Sequence, residues 1–142
     1  MKLINILFPL ILLMPVISDA QCRAFTKNQC LPILNGFVQN DNYNSAVLAA
    51  GDDAELLLTF YGGKEYRLVV CAHPVLGNVD YEITDTNGDL IYKANTSTGN
   101  TFDFKMVNTQ QLIVKLRVPE QKSSVTAHEG CVSVMIGSKE VN

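Results

Sequence analysis

The chain has 142 residues, a formal net charge of −3, four cysteines, two histidines and no tryptophan. It has no run of Lys or Arg and no basic stripe, so the electrostatic footprint of nucleic-acid recognition is missing and no nucleic-acid partner is expected. Neither low-complexity tracts nor internal repeats are visible, which excludes fibrous and solenoid classes.

The first stretch, "MKLINILFPLILLMPVISDA", sets one Lys before an apolar run from Leu3 to Ile17 and ends with Ser18 and Ala20 at small-residue positions. This is the pattern of a secretory signal peptide, expected over residues 1–20. The run is shorter than the roughly 20 residues of a spanning helix and is interrupted by Pro9 and Pro15, so no membrane-spanning segment is expected. Gln21 precedes Cys22, where a lipid-modified cysteine normally follows Gly, Ala or Ser. The mature chain is therefore expected to start at Gln21 as a secreted or periplasmic protein, the size of one ordinary domain. Residues 21–45 are assigned to an amino-terminal segment and 46–138 to a single β-sandwich domain. Within the first, "CRAFTKNQC" suggests a short helix closed by Pro32.

From Ala46 onward, short apolar runs alternate with turn signals about every ten residues, the spacing of an all-β sandwich. In "VDYEITD" Val79, Tyr81 and Ile83 share one face; in "LIVKLRV" Leu112, Val114, Leu116 and Val118 oppose Lys115 and Arg117. "GDD" (51–53), "YGGK" (61–64), "HPVLGN" (73–78), "TNGD" (86–89), "NTSTGN" (95–100) and "PEQKSSVTAHEG" (119–130) supply the turns and loops, with Asn87-Gly88 favouring a tight hairpin. About seven or eight antiparallel strands are expected. The expected core is Leu56, Leu58, Phe60, Tyr66, Leu68, Val70, Val79, Tyr81, Ile83, Phe102, Phe104, Leu112, Val114, Leu116, Val132, Val134 and Ile136.

The succession "AELLLTFYGGKEYRLVVCA", "VDYEITDTNGDLIYK", "TFDFKM" and "TQQLIVKLRVP" resembles the prepeptidase C-terminal type of small secreted β-sandwich over roughly residues 50–137. An apolar strand leads through Gly and Tyr into a second strand, a later strand ends in an Asp-x-x-Gly turn, and an aromatic strand precedes an "L-I-V" run. The resemblance implies a non-catalytic, jelly-roll-like accessory domain of bacterial origin. No attached enzyme is expected, a departure from the appendage pattern.

The cysteines sit in suggestive places. Cys71 and His73 share a strand face about 7 Å apart, and His128 and Cys131 would complete a zinc set of two Cys and two His. His128 and Cys131 have opposite parity in a regular strand unless Gly130 makes a bulge, and an even cysteine count in an exported chain is ordinarily a disulfide framework. Disulfides among Cys22, Cys30, Cys71 and Cys131 are expected, and no metal.

If Tyr66, Leu68 and Val70 face inward, Cys71 faces outward, and so does Cys131 beside Val132, Val134 and Ile136. Bonded to each other they would enclose about 60 residues and stabilise by about 4 kcal/mol; alternatively they hold down the amino-terminal segment through Cys22 and Cys30. In a helix Cys22 and Cys30 would lie about 12 Å apart, too far to pair. The tethered arrangement is favoured, and the connectivity stays open.

Asp85, Asn87 and Asp89 alternate around Gly88 like the start of a calcium loop, with Asp52, Asp53 and Glu55 in another acidic turn. An EF-hand requires a Glu at the twelfth position, which here is Thr96, so a plain hairpin is expected. With only His73 and His128, no Gly-x-Ser-x-Gly elbow and every thiol in a disulfide, no catalytic residues, no enzyme activity and no cofactor are expected. Phe25, Phe37, Tyr43, Tyr61 and Tyr92 remain outside the expected core and available for a ligand. Asn95-Thr96-Ser97 fits a glycosylation sequon, relevant only to a eukaryotic source.

The expectation is a secreted, monomeric, non-catalytic binding module for a glycan or envelope component. A structural or envelope-associated protein that binds another protein comes second, and a metal-dependent hydrolase third.

Overall fold

The computed structural model describes residues 18–40, 44–121 and 128–142. Most of the expected signal peptide, Tyr43 and the middle of the 119–130 loop lie outside those residues.

The chain is an all-β sandwich of two antiparallel sheets with a short helical segment at its amino-terminal side. Nine strands are described: β1 (Val38–Gln39), β2 (Asn44–Ala49), β3 (Asp53–Phe60), β4 (Lys64–Ala72), β5 (Asp80–Asp85), β6 (Leu90–Asn95), β7 (Thr101–Met106), β8 (Gln110–Arg117) and β9 (Glu129–Glu140). The first sheet runs β1-β9-β4-β7, with β2 also on β9; the second runs β3-β8-β5-β6. The strands begin earlier than the alternation from Ala46 suggests. β1 and β2 follow one another along the same edge of β9, β1 opposite Gly137 and Ser138 and β2 opposite 129–134. A two-residue strand is too short to show period two, so only its pairing reveals it.

The two inner faces meet in one core. Phe60, Tyr66, Leu68, Val70, Val79, Tyr81, Ile83, Leu112, Val114, Leu116, Val132, Val134 and Ile136 are buried there, as parity predicts, together with Met106, Leu76 and Val118. Leu56, Leu58, Phe102 and Phe104 pack against that core only partly buried. They belong to β3 and β7, which lie at sheet edges, where one flank has no neighbouring strand.

On the β6–β7 side the core is aromatic. Tyr92 stacks on Phe102 at 4.3 Å, Phe102 on Phe104 at 5.1 Å, and Phe60 meets Phe104 and Tyr66 edge-on at 5.1 and 5.0 Å. Tyr92 thereby leaves the set of free aromatics. Each buried phenol keeps a backbone partner: the Tyr61 amide donates to Tyr66 Oη at 2.9 Å, and Tyr81 Oη donates to the Gly99 carbonyl. Burial, with Tyr92 beside it, pushes the Tyr81 hydroxyl well above its usual range.

The β5–β6 hairpin is closed by Asp85. One of its carboxylate oxygens accepts from the amides of Asn87 and Asp89 at 2.8 and 2.9 Å, and Gly88 supplies φ +90°. Asp85 Oδ1 thus shapes the turn. Asn95 does the same for the next loop, its amide oxygen accepting from the amides of Ser97 and Thr98.

Candidate functional site

The site is built where the amino-terminal segment crosses the outer face of the first sheet. α1 (Ser18–Phe25) continues into one wide π turn, Thr26–Cys30, closed by the Leu31 amide on the Thr26 carbonyl. A 3₁₀ turn follows over Leu31–Leu34 and stops at Asn35, which takes φ +32°. Pro32, expected to close the helix, instead occupies the first turn of that 3₁₀ stretch, where a missing amide hydrogen costs nothing. A helix of eight residues is too short to persist alone in water. Here it is held covalently.

Cys22 bonds Cys131 of β9 and Cys30 bonds Cys71 of β4, with Cα separations of 5.3 and 5.8 Å. Cys71 and Cys131 do point away from the main core, but neither is bare. Cys71 lies buried with Val69, Met135, Cys30 and Leu34 in a second apolar layer, packed by Phe25, Leu31, Ile33 and Phe37, and Cys131 is buried as well. Cys71 lies opposite Ser133 and so is diagonal to Cys131, not facing it. Ser133 is itself fully buried; its hydroxyl meets that of Thr26, which also donates to the Cys22 carbonyl at 2.7 Å. Among the described residues no buried polar side chain is stranded under the helix.

Two glycines in β9 admit the covering segments. A Cβ on Gly137 would meet Phe37 Cβ at 2.6 Å, and one on Gly130 would meet Val75 Cγ1 and His73 Cβ at 2.9 and 3.0 Å. Gly130 keeps the register in step, opposite Leu48, so it makes no bulge.

Between this segment and the sheet lies an open cleft of about 470 Å³ whose walls include Gln21, Asn28, Gln29, Phe25, His73 and Glu129. Val47, 39% exposed, forms part of its apolar floor. An apolar cleft of about 310 Å³ lies between the β2 and β3 edges. The larger cleft has the more varied chemistry. His73 donates its amide to the Cys131 carbonyl at 2.8 Å, accepts the Val75 amide on Nδ1 at 3.2 Å, and sets its ring 5.8 Å from that of Phe25. "CAH" and "HEGC" do come together, but their thiols are bridged to the helical segment. Neither sulfur is available to a metal in this state.

Beyond the helix, the same sheet face is charged. Arg67 holds Asp103 through two bonds of 2.8 and 2.7 Å, and Glu65 sits between Lys105 and Lys139 at 2.9 Å each. The hydrogen bonds from Lys105 and Lys139 hold the Glu65 carboxyl below its ordinary range, and Asp103 raises Arg67. Arg67 and Lys139 both lie 4.7 Å from the Phe37 ring centre. Among the noted aromatics, Phe37 is therefore a structural cover and Phe25 a cleft wall, while Tyr61 stays 62% exposed. The cleft amides escaped sequence reasoning because their meeting depends on where the helix is tied. Four cysteines, two of them outward-facing on strands, were the signal that a cover existed.

The chain is thus an all-β sandwich with a helical segment stapled across one sheet. No protein-family model matches it, and no curated protein matches it. Among solved structures it is similar to the Aeromonas hydrophila PliG, a periplasmic lysozyme inhibitor of g-type lysozyme, with 7% identity and a TM-score of 0.49 over 73% of this chain and 89% of that one. It is also similar to the CBM36-1 domain of a multidomain xylanase from the hindgut metagenome of Trinervitermes trinervoides, with 12% identity and a TM-score of 0.33 over 75% of this chain and 94% of that one. Among the described residues no helix is long and apolar enough to cross a membrane.

Proposed function

We propose that the protein is a secreted or periplasmic, non-catalytic binding module of prepeptidase C-terminal-like type whose cleft beside the stapled helix takes a neutral glycan. The composition of that cleft carries the reading: three side-chain amides, an imidazole and a carboxylate surround one aromatic ring in about 470 Å³. Side-chain amides offer donor and acceptor side by side, which suits vicinal hydroxyls, and Phe25 offers a flat apolar face to sugar C–H groups. Two disulfides make the helical wall rigid before any ligand arrives, which lowers the entropic cost of binding. They also suit an oxidising compartment. The bridged thiols are unavailable as nucleophiles, which supports a role without covalent catalysis.

A glycan array probed with the oxidised mature chain, followed by titration calorimetry of the strongest hit, tests the proposal. Saturable binding is expected, insensitive to chelator and weakened about ten-fold by Phe25→Ala. An empty array together with recovery of one envelope protein in a pull-down would transfer the reading to a protein-binding role. Turnover of a glycan that stops on adding chelator would favour a metal-dependent hydrolase.

A further inference from the structure

The outer face of the second sheet carries its side chains in three ordered rows. Register places Asp53, Arg117, Asp80 and Asn95 side by side across β3-β8-β5-β6, and in the next row Glu55, Lys115, Glu82 and Lys93. The third row is Leu57, Ile113, Thr84 and Leu90, with Ile91 as the extra residue of a β-bulge beside it. Nothing among the described residues covers this face: Leu57 is 58% exposed, Leu90 59% and Ile91 45%. Thr84, by contrast, is 3% exposed between its apolar neighbours, and its hydroxyl has no hydrogen-bond partner.

The rows are self-complementary under one particular rotation. The charges of the second row alternate as minus, plus, minus, plus, so their reversed order is plus, minus, plus, minus. A two-fold axis parallel to the strands, above the boundary between β8 and β5, lays each row on its own reverse. Lys93 of one copy then stands over Glu55 of the other, and Glu82 over Lys115. In the first row Asp80 stands over Arg117, and in the third Leu90 over Leu57. A two-fold axis across the strands at the second row would instead put Glu55 on Glu55 and Lys115 on Lys115, and press the apolar row onto charges. Like charges brought together in an interface are strongly disfavoured, so only the first arrangement is open.

From this we infer that the outer face of the second sheet is the interface of an isologous homodimer, in place of the monomer expected from the sequence. It pairs the two sheets face to face with their strands nearly aligned, the ordinary geometry of stacked twisted sheets. The three rows cover roughly 20 Å by 20 Å, which sets the dimer at the small, readily dissociating end of specific interfaces.

Sedimentation velocity of the oxidised mature chain between about 10 μM and about 1 mM tests the inference. The mass should rise toward twice the monomer value across that range. Lys115→Glu places two carboxylates over each other at two symmetric points and should hold the chain monomeric. Adding Glu82→Lys makes the row minus, minus, plus, plus, which again meets opposite charge in its reversed copy, and should restore the dimer. Leu57→Lys, at a site more than half exposed, should also abolish association while its unfolding curve stays near that of the parent chain. A monomer mass throughout the range would overturn the proposal. So would a dimer indifferent to both Lys115→Glu and Leu57→Lys. The interface lies on the opposite sheet from the helix-lined cleft, so neither variant should alter glycan binding.

Discussion

The outer faces of the two sheets are built from the same strand alternation yet end differently. On the first sheet, Val69, Cys71, Ser133 and Met135 point outward and are nonetheless buried, because the stapled helical segment lies over them. On the second, Leu57 and Leu90 point outward and stay exposed beside rows of alternating charge. The difference lies in the cysteines. A helical segment too short to be stable by itself becomes a third layer when Cys22 of its helix and Cys30 of the following turn are bonded to neighbouring strands, and the sheet without cysteines receives no such layer.

Breaking the staples should give the largest effect. On the chain-entropy account, the bridge spanning 109 residues contributes about 5 kcal/mol and the one spanning 41 about 4 kcal/mol, less than additively because the loops overlap. Denaturant unfolding with and without reductant should show a loss of that order. Mass spectrometry of the oxidised chain should find it four mass units below the all-thiol value with no thiol labelled, as two disulfides require. If reduction leaves stability unchanged, the helical layer is held by packing and the contrast between the faces has another cause.

Substitutions on either side of the first sheet sharpen the comparison. Phe60→Ala, between the sheets, should cost about 3 to 5 kcal/mol whether the disulfides are intact or reduced. Met135→Ala, under the helix, should cost about 2 to 4 kcal/mol in the oxidised protein and distinctly less after reduction, when the layer it packs against can leave. Equal costs for Met135→Ala in both states would mean that the layer stays docked without its bonds.

The smallest effect concerns the charged end of the same face. The Glu65 carboxyl titrates below its reference value of 4.5 because Lys105 and Lys139 bond to the ionised form. A folded-state value lowered in this way adds stability above the unfolded value and loses it as pH falls through the folded one. Acid titration of stability from pH 4.5 downward should therefore fall less steeply in Glu65→Gln than in the parent chain. Identical slopes would show that the two lysines do not distinguish the folded from the unfolded state.

Parity carried the sequence reading a long way. Alternation alone separated the inner face of β4, β5, β8 and β9 from the outer one, because side chains in a strand have a period of two and a one-residue slip would turn every apolar group to water. The same rule put Cys71 and Cys131 outside the core and made a tether to Cys22 and Cys30 a serious alternative. It set Val118 on the apolar face, though the expected core left that residue out along with Met106, and it missed Leu76, which lies in a turn between strands, and the two-residue strand β1. What fills the edge of β9, which cysteine joins which strand, and that Gln21, Asn28, Gln29 and His73 line one cleft were decided only in three dimensions. Periodicity acts between neighbours along the chain, whereas these arrangements depend on which distant segments lie within reach of one another. The all-β class and the inward face of the strands were thus written in local order. The third layer and the cleft beneath it depend on two bonds between residues 109 and 41 positions apart, and the bare, charge-patterned face opposite on the register of four strands distant in sequence.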